Sequence, residues 1–238
     1  ISLGLVGSEM CIRDSCNISD FSADNLLRPP KAVGDEAEIE QLIAKTADSG
    51  YTLKYPKNGK FRSAIIMTDL DGNESNEAVA FFRNSAETSS VHMLVMYSKD
   101  NSWKIASDNI FETTDIDSVD FADLTGNGKA EIIVNSTTYT PNVGKLSCYS
   151  YSDGKTSDIG SGQSCSSFVT GDFDGDGTNE IISLVLYTTE NEALASMLDY
   201  NEDSKSLYAK AMANMDPNVV KYKNIAVTKL DNLSLIHI

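Results

Sequence analysis

Apolar residues along this chain fall into short runs, many of them alternating with polar ones and divided by clusters of Asp, Asn, Gly and Ser. That is the pattern of short β-strands joined by turns. Three stretches share one grammar: AIIMTDLDGNESNEAVAFF at 64–82, VDFADLTGNGKAEIIVNS at 119–136 and FVTGDFDGDGTNEIISLVLY at 168–187. Each reads as an apolar strand, a short Asp/Asn/Gly loop, a glutamate and a second strand, and IAVTKLDN at 225 begins a fourth copy. The leading aspartates Asp69, Asp123 and Asp172 lie 54 and 49 residues apart, a period near 50. Between the copies, VHMLVMYSKDNSWKIASDNIF, KLSCYSYSDGKTSDIG and LASMLDYNEDSKSLYAKAMA add further strands, so each unit offers about four. Ile132-Ile133-Val134 and Ile181-Ile182 are continuous apolar runs, as expected of strands covered on both faces.

One segment breaks the β pattern. Ile39, Leu42 and Ile43 recur at helical spacing, with Asp35 as the expected cap, Glu38 completing a capping box and Gly50 placed to stop the helix. The expected fold is therefore all-β with one short N-terminal helix. Four-stranded units of about 50 residues covered on both sides are blades of a β-propeller. Three blades and the start of a fourth are present, against the usual 4–8, so truncation is expected.

The ends change the domain picture. ISLGLVGSEMCIRDS and LSLIHI resemble translated sequencing-adapter read-through, and residues 1–15 and 233–238 are set aside on that ground. What remains divides into a tether at 16–34, containing Arg28-Pro29-Pro30, a helix at 35–50 and a β-propeller-like domain at 51–232. Neither apolar end approaches the roughly 20 residues of a membrane span.

Composition then narrows the chemistry. A chain that is 41% hydrophobic and 23% charged can bury a core, so disorder is not the default. The formal charge of −16 argues against a nucleic-acid surface, which would need a basic stripe. Two histidines, one in the set-aside tail, leave histidine-centred catalysis almost without material; His92 reads as a strand residue. Trp103, Tyr149 and Tyr151 read as blade packing, and Asp115, Asp117 and Asp120 as a solvated connection. Cys148 and Cys165, 17 apart, fit a bridge or two buried thiols equally.

The acidic loops carry the candidate chemistry. A hard cation such as calcium takes six to eight oxygens, and a loop with side chains at positions 1, 3 and 5, a carbonyl at 7 and a carboxylate beyond can wrap one. The third loop presents Asp172, Asp174, Asp176, the Thr178 carbonyl and Glu180. In the first these are Asp69, Asp71, Asn73, Ser75 and Glu77, with one carboxylate exchanged for an amide. The second has Asp123, Thr125, Asn127, Lys129 and Glu131, losing the carboxylate at position 3 and gaining a cation. Expected affinity therefore falls in the order third, first, second. Asp-Gly and Asn-Gly also make good hairpin turns without any ion.

The D-x-[DT]-G-[ND]-x-x-x-E loops resemble the FG-GAP or VCBS-type calcium-binding repeats, related to the blades of integrin alpha chains. The closing carboxylate at position 9, in a loop joining two strands, matches that family and not an EF-hand. The resemblance covers roughly 60–232 and implies structural calcium in the loops. The LLRPP tether, helix and YTLKYPKNGKFRSAII opening resemble clostridial-type surface lipoproteins that carry such repeats. Cys16, followed by a polar tether, resembles the lipid-bearing first residue of a mature bacterial lipoprotein, although Arg13-Asp14-Ser15 is not a lipobox. The expectation is an exported, lipid-anchored module that binds or scaffolds an unknown protein or glycan at the cell surface, touching membrane only through that anchor. A propeller-fold carbohydrate-active hydrolase or lyase is the alternative. Acids repeating at equivalent positions favour ion sites over a catalytic pair, and no G-x-S-x-G, H-E-x-x-H or phosphate loop is present.

Overall fold

The structure is a computed structural model, and it describes residues 34–48, 50–140, 142–187, 192–211, 226–230 and 233–237. Among the described residues, helix α1 (Asp35–Ala47) is followed by strands alone. Strands β1 (Tyr51–Leu53), β2 (Ile65–Thr68), β3 (Glu77–Asn84), β4 (Val91–Lys99) and β5 (Ser102–Phe111) form the first antiparallel sheet. Here β2 pairs with the first half of β3 and β1 with its last residues, so the two share one lane beside it. The second sheet is β6 (Ile116–Ala122), β7 (Glu131–Ser136), β8 (Gly144–Ser152) and β9 (Lys155–Cys165), in sequence order. The third is β10 (Ser167–Gly171), β11 (Glu180–Tyr187), β12 (Glu192–Asn201) and β13 (Ser206–Ala211), again in sequence order. A hairpin of β14 (Ala226–Leu230) and β15 (Leu233–His237) follows. The chain is thus mostly β, built of consecutive antiparallel sheets, as the apolar runs predict. The described residues show the four-stranded unit and its repetition; a closed ring is not among them.

Side-chain alternation stacks these sheets. On β3, Ala78, Ala80 and Phe82 point one way and join Leu94, Met96 and Trp103 against Ile39, Ile43 and Ala47 of α1. Val79 and Phe81 point the other way, joining Val91, Met93 and Val95 of β4 against Ile132, Val134 and Tyr151 of the second sheet. The far face of that sheet, with Ile133, Leu146, Cys148 and Ile159, packs on Ile181 and Leu198 of the third. The order is helix, first sheet, second sheet, third sheet. Every residue of Glu131–Ser136 is buried, which is why that run could not alternate.

The helix start differs from expectation. Gly34, not Asp35, occupies the N-cap with φ +63°, and no side chain caps the helix. Asp35, Glu36 and Glu38 instead put three carboxylates in the first turn, where the exposed N–H groups favour negative charge. Helix α1 ends at Ala47 with Asp48 in the left-handed region (φ +55°), before Gly50. Ile39, Leu42 and Ile43 do share the packed face. Among the described residues no helix is long and apolar enough to cross a membrane. Cys16 and the tether lie outside the described residues.

Candidate metal centres

The three acidic loops occupy one structural place: 69–77 joins β2 to β3, 123–131 joins β6 to β7, and 172–180 joins β10 to β11. Apolar burial sets each mouth. Leu70 and Leu124, at position 2, are inserted into the core, and the glutamate at position 9 opens a buried strand. That glutamate closes the loop in all three copies. Glu77, Glu131 and Glu180 accept the N–H of position 2, from Leu70 at 2.8 Å, Leu124 at 2.7 Å and Phe173 at 2.7 Å. The position-5 side chain then accepts the N–H of position 7: Asn73 from Ser75 (2.7 Å), Asn127 from Lys129 (2.9 Å) and Asp176 from Thr178 (2.8 Å). The leading aspartate collects N–H groups from mid-loop, Gly72 and Glu74 on Asp69, Asn127 and Gly128 on Asp123, and Gly175 on Asp172. Such repeated geometry follows from the repeated grammar, with positive φ at positions 4 and 6 of every loop.

The loops also touch one another in series. Ala130 N–H donates to the Leu70 carbonyl at 3.1 Å, and Asn179 N–H donates to the Asp123 carbonyl at 2.9 Å. Stacking the sheets therefore sets the three turns in a row at one end of the strands.

Carboxylates converge in two of the three. Asp172, Asp174, Asp176 and Glu180 can each place one oxygen within 4.8 Å of all the others, as can Asp69, Asp71 and Glu77. Both clusters could hold a metal ion. In the third loop Glu180 is fully buried, its Oε2 holds Phe173, and its Oε1 has no hydrogen-bond partner among the described residues. A buried carboxylate oxygen left without a donor is a costly arrangement that a bound cation would satisfy. In the second loop the equivalent atom is taken: Thr125 Oγ1 donates to Glu131 Oε1 at 3.2 Å. The hydroxyl stands where the first and third loops have a carboxylate, so the second loop closes on itself.

Protonation reflects the same environments. Burial pushes Glu77, Glu131 and Glu180 above the ordinary carboxylate range, and the neighbouring loop aspartates push them the same way. For Asp69, desolvation is more than offset by backbone N–H groups led by Glu74 and Gly72, so its carboxyl sits below that range. Asp176 is lowered by the Thr178 hydroxyl and N–H. Lys210, which the sequence did not single out, lies 3.5 Å from Asp174 Oδ2 while paired with Asp199, and supplies local positive charge to the third loop.

Other candidates resolve as follows. Cys148 and Cys165 are both free, buried thiols; burial pushes Cys165 up to about 12 and raises Cys148 as well. Trp103 is a core residue on the helix side of the first sheet and Tyr151 one between the first two sheets, where Tyr149 packs beside it. His92 is a strand residue with more around it than its sequence context signals: Nδ1 meets Asp108 at 2.9 Å, Nε2 lies 3.5 Å from Glu87, and the ring stacks on Phe82. Asp115, Asp117 and Asp120 do not form the solvated connection expected of them. Asp115 pairs with Lys54 and Lys57, Asp117 and Asp120 lie on β6, and Asp120 accepts the Thr170 hydroxyl of β10 at 2.7 Å. Their partners come from distant positions, so no local pattern could have signalled them. Compared with protein-family models and with curated proteins, the chain matches none.

Proposed function

We propose that this chain is a calcium-stabilised, β-propeller-type repeat module, exported to the bacterial cell surface, where it binds or scaffolds a partner. The orphaned, fully buried Glu180 Oε1 beside three aspartates carries the metal assignment. An all-oxygen donor set on a flexible turn suits calcium better than magnesium, which demands a tighter octahedron and keeps its waters. In this reading the third and first loops bind an ion, the second does not, and each ion stiffens the hairpin between the first two strands of a blade. In the same reading the blades are the three stacked sheets, the first of five strands with β1 and β2 sharing one lane, the other two of four. Short, partly solvated loops belong to the weak extracellular range, on the order of 0.1–1 mM, which is useful only where calcium is plentiful.

Thermal melting with calcium against chelator tests this. At about ten times its dissociation constant, calcium should add about 1.4 kcal/mol per occupied site. For a chain of this size that is a rise of roughly 3–6 °C per site. Replacing Asp172 and Asp174 together by Asn should remove the third loop's share. An unchanged melting shift in that double variant would sink the assignment, as would no shift in the unaltered protein.

A further inference from the structure

The third loop is the most acidic of the three, and part of its charge is met from outside the loop. Lys210, on β13, reaches back past β12 to set its ammonium 2.5 Å from Asp199 Oδ2 and 3.5 Å from Oδ2 of Asp174, one of the four converging carboxylates. The Tyr208 hydroxyl donates to the same Asp199 oxygen at 2.8 Å, so Asp199 is held from two positions of β13. Strand register places these groups. Asp199 follows Leu198, the partner of Ile181, and so stands across the ladder from Glu180; Lys210 pairs with Met197, itself the partner of Ile182.

The same ladder positions in the other two sheets carry no charge. Where the third sheet has Lys210, the first has Ser107, reached through Val79 and Val95, and the second has Gly160, reached through Ile133 and Cys148. Where it has Asp199, they have Tyr97 and Ser150. The lysine is therefore a feature of one site and not of the repeat. With no metal bound, its ammonium offsets the repulsion among Asp172, Asp174, Asp176 and Glu180; with a divalent cation among those carboxylates, it becomes a like charge at close range. Its side chain is 37% exposed and its stem is flexible, so the head can leave Asp174 for water while keeping Asp199. Glu180 Oε1 stays buried without a partner among the described residues. Lys210 thus answers the outer charge of the loop and leaves the inner acceptor for an ion.

We propose that Lys210 sets the calcium affinity of the third loop from outside its ligands, standing in for the ion at Asp174 in the metal-free protein and giving way when calcium enters. This rests on the calcium reading above and assigns the control of one site within it. Isothermal titration of the full chain with calcium chloride, beside melting in chelator, tests it. Lys210→Met should tighten one calcium site by roughly three- to ten-fold, a loss of like-charge repulsion, while lowering the melting temperature of the metal-free protein. Lys210→Arg, which keeps the charge, should leave the affinity near that of the unaltered chain. In an Asp172→Asn/Asp174→Asn background, Lys210→Met should leave the affinity of the remaining site where it was, because the first loop has no such lysine. A purely structural role, pinning Asp199 on the outer strands, would lower the melting temperature and leave calcium binding unchanged or weaker; that result overturns the proposal, as does equal tightening by Lys210→Arg. Calcium binding that is lost in Asp172→Asn/Asp174→Asn but insensitive to Lys210→Met removes only the role of Lys210. No calcium binding by the unaltered chain removes the site and this role together.

Discussion

The second and third acidic loops follow the same path, with Gly126 and Gly175 at φ +70° and +83° and Gly128 and Gly177 again at positive φ two residues on. Both are closed by a glutamate holding the position-2 N–H. They part at position 3. Thr125 donates a hydrogen bond to Glu131 and completes the loop internally, whereas Asp174 adds a negative charge and leaves Glu180 Oε1 without a donor among the described residues. The hairpin fold thus belongs to the glycines and the closing glutamate, and the capacity to hold an ion turns on one side chain. A repeat can keep its backbone while individual copies gain or lose metal.

The largest expected effect breaks the comparison at its glycines. A Cβ on Gly126 would lie 2.5 Å from Thr178 Cγ2 of the neighbouring loop, whereas one on Gly175 meets open space. Gly126→Ala should cost about 2–3 kcal/mol, combining left-handed strain with overpacking. Gly175→Ala should cost only the strain, about 1–2 kcal/mol. Denaturant unfolding of both in chelator measures the difference; equal losses would mean that the contact between loops contributes nothing.

A smaller effect should convert one loop into the other. Thr125→Asp removes the hydroxyl donor and adds a third carboxylate, so the metal-free protein should lose about 1–2 kcal/mol. It should also gain one bound calcium, counted by titration. A variant that loses stability without gaining an ion would show that Lys129 or the loop's charge, and not position 3, excludes the metal.

The smallest effect concerns pH. Glu77, Glu131 and Glu180 have folded-state values raised above the unfolded one, so the native state holds their protons more tightly. In chelator their contribution is fully present below about pH 4.3 and is lost as pH rises through the folded-state values. Calcium, which needs the ionised forms, should reverse that decline for the first and third loops and not for the second. Melting temperatures across pH 4–7, with and without calcium, should show the two curves diverging as pH rises. Parallel curves would separate ion binding from these glutamates.

Much of the β architecture was legible locally. Alternating runs, the period near 50 and the Asp-x-x-Gly turns located the strands and their four-fold grouping, because strand formation and tight turns depend on neighbours in sequence. Ile132-Ile133-Val134 announced burial on both faces, and the first and third sheets cover them in that way. The helix cap was misread, since Asp35 is a good capping residue and only the backbone path, turning through Gly34, shows that the cap lies one residue earlier. The weakness of the second loop was visible in Thr125 and Lys129, but the hydroxyl's bond to Glu131 was not.

The sequence by itself determined where the oxygen-rich turns fall and which of them lacks a carboxylate, since both are matters of residue type at fixed spacing. Only the tertiary structure decided that Glu180 keeps an unpaired oxygen in the core, that the three turns join by Ala130 and Asn179, and that Asp117 and Asn135 meet. Those facts depend on burial and on strands brought together from far apart, and neither quantity is carried by a local pattern.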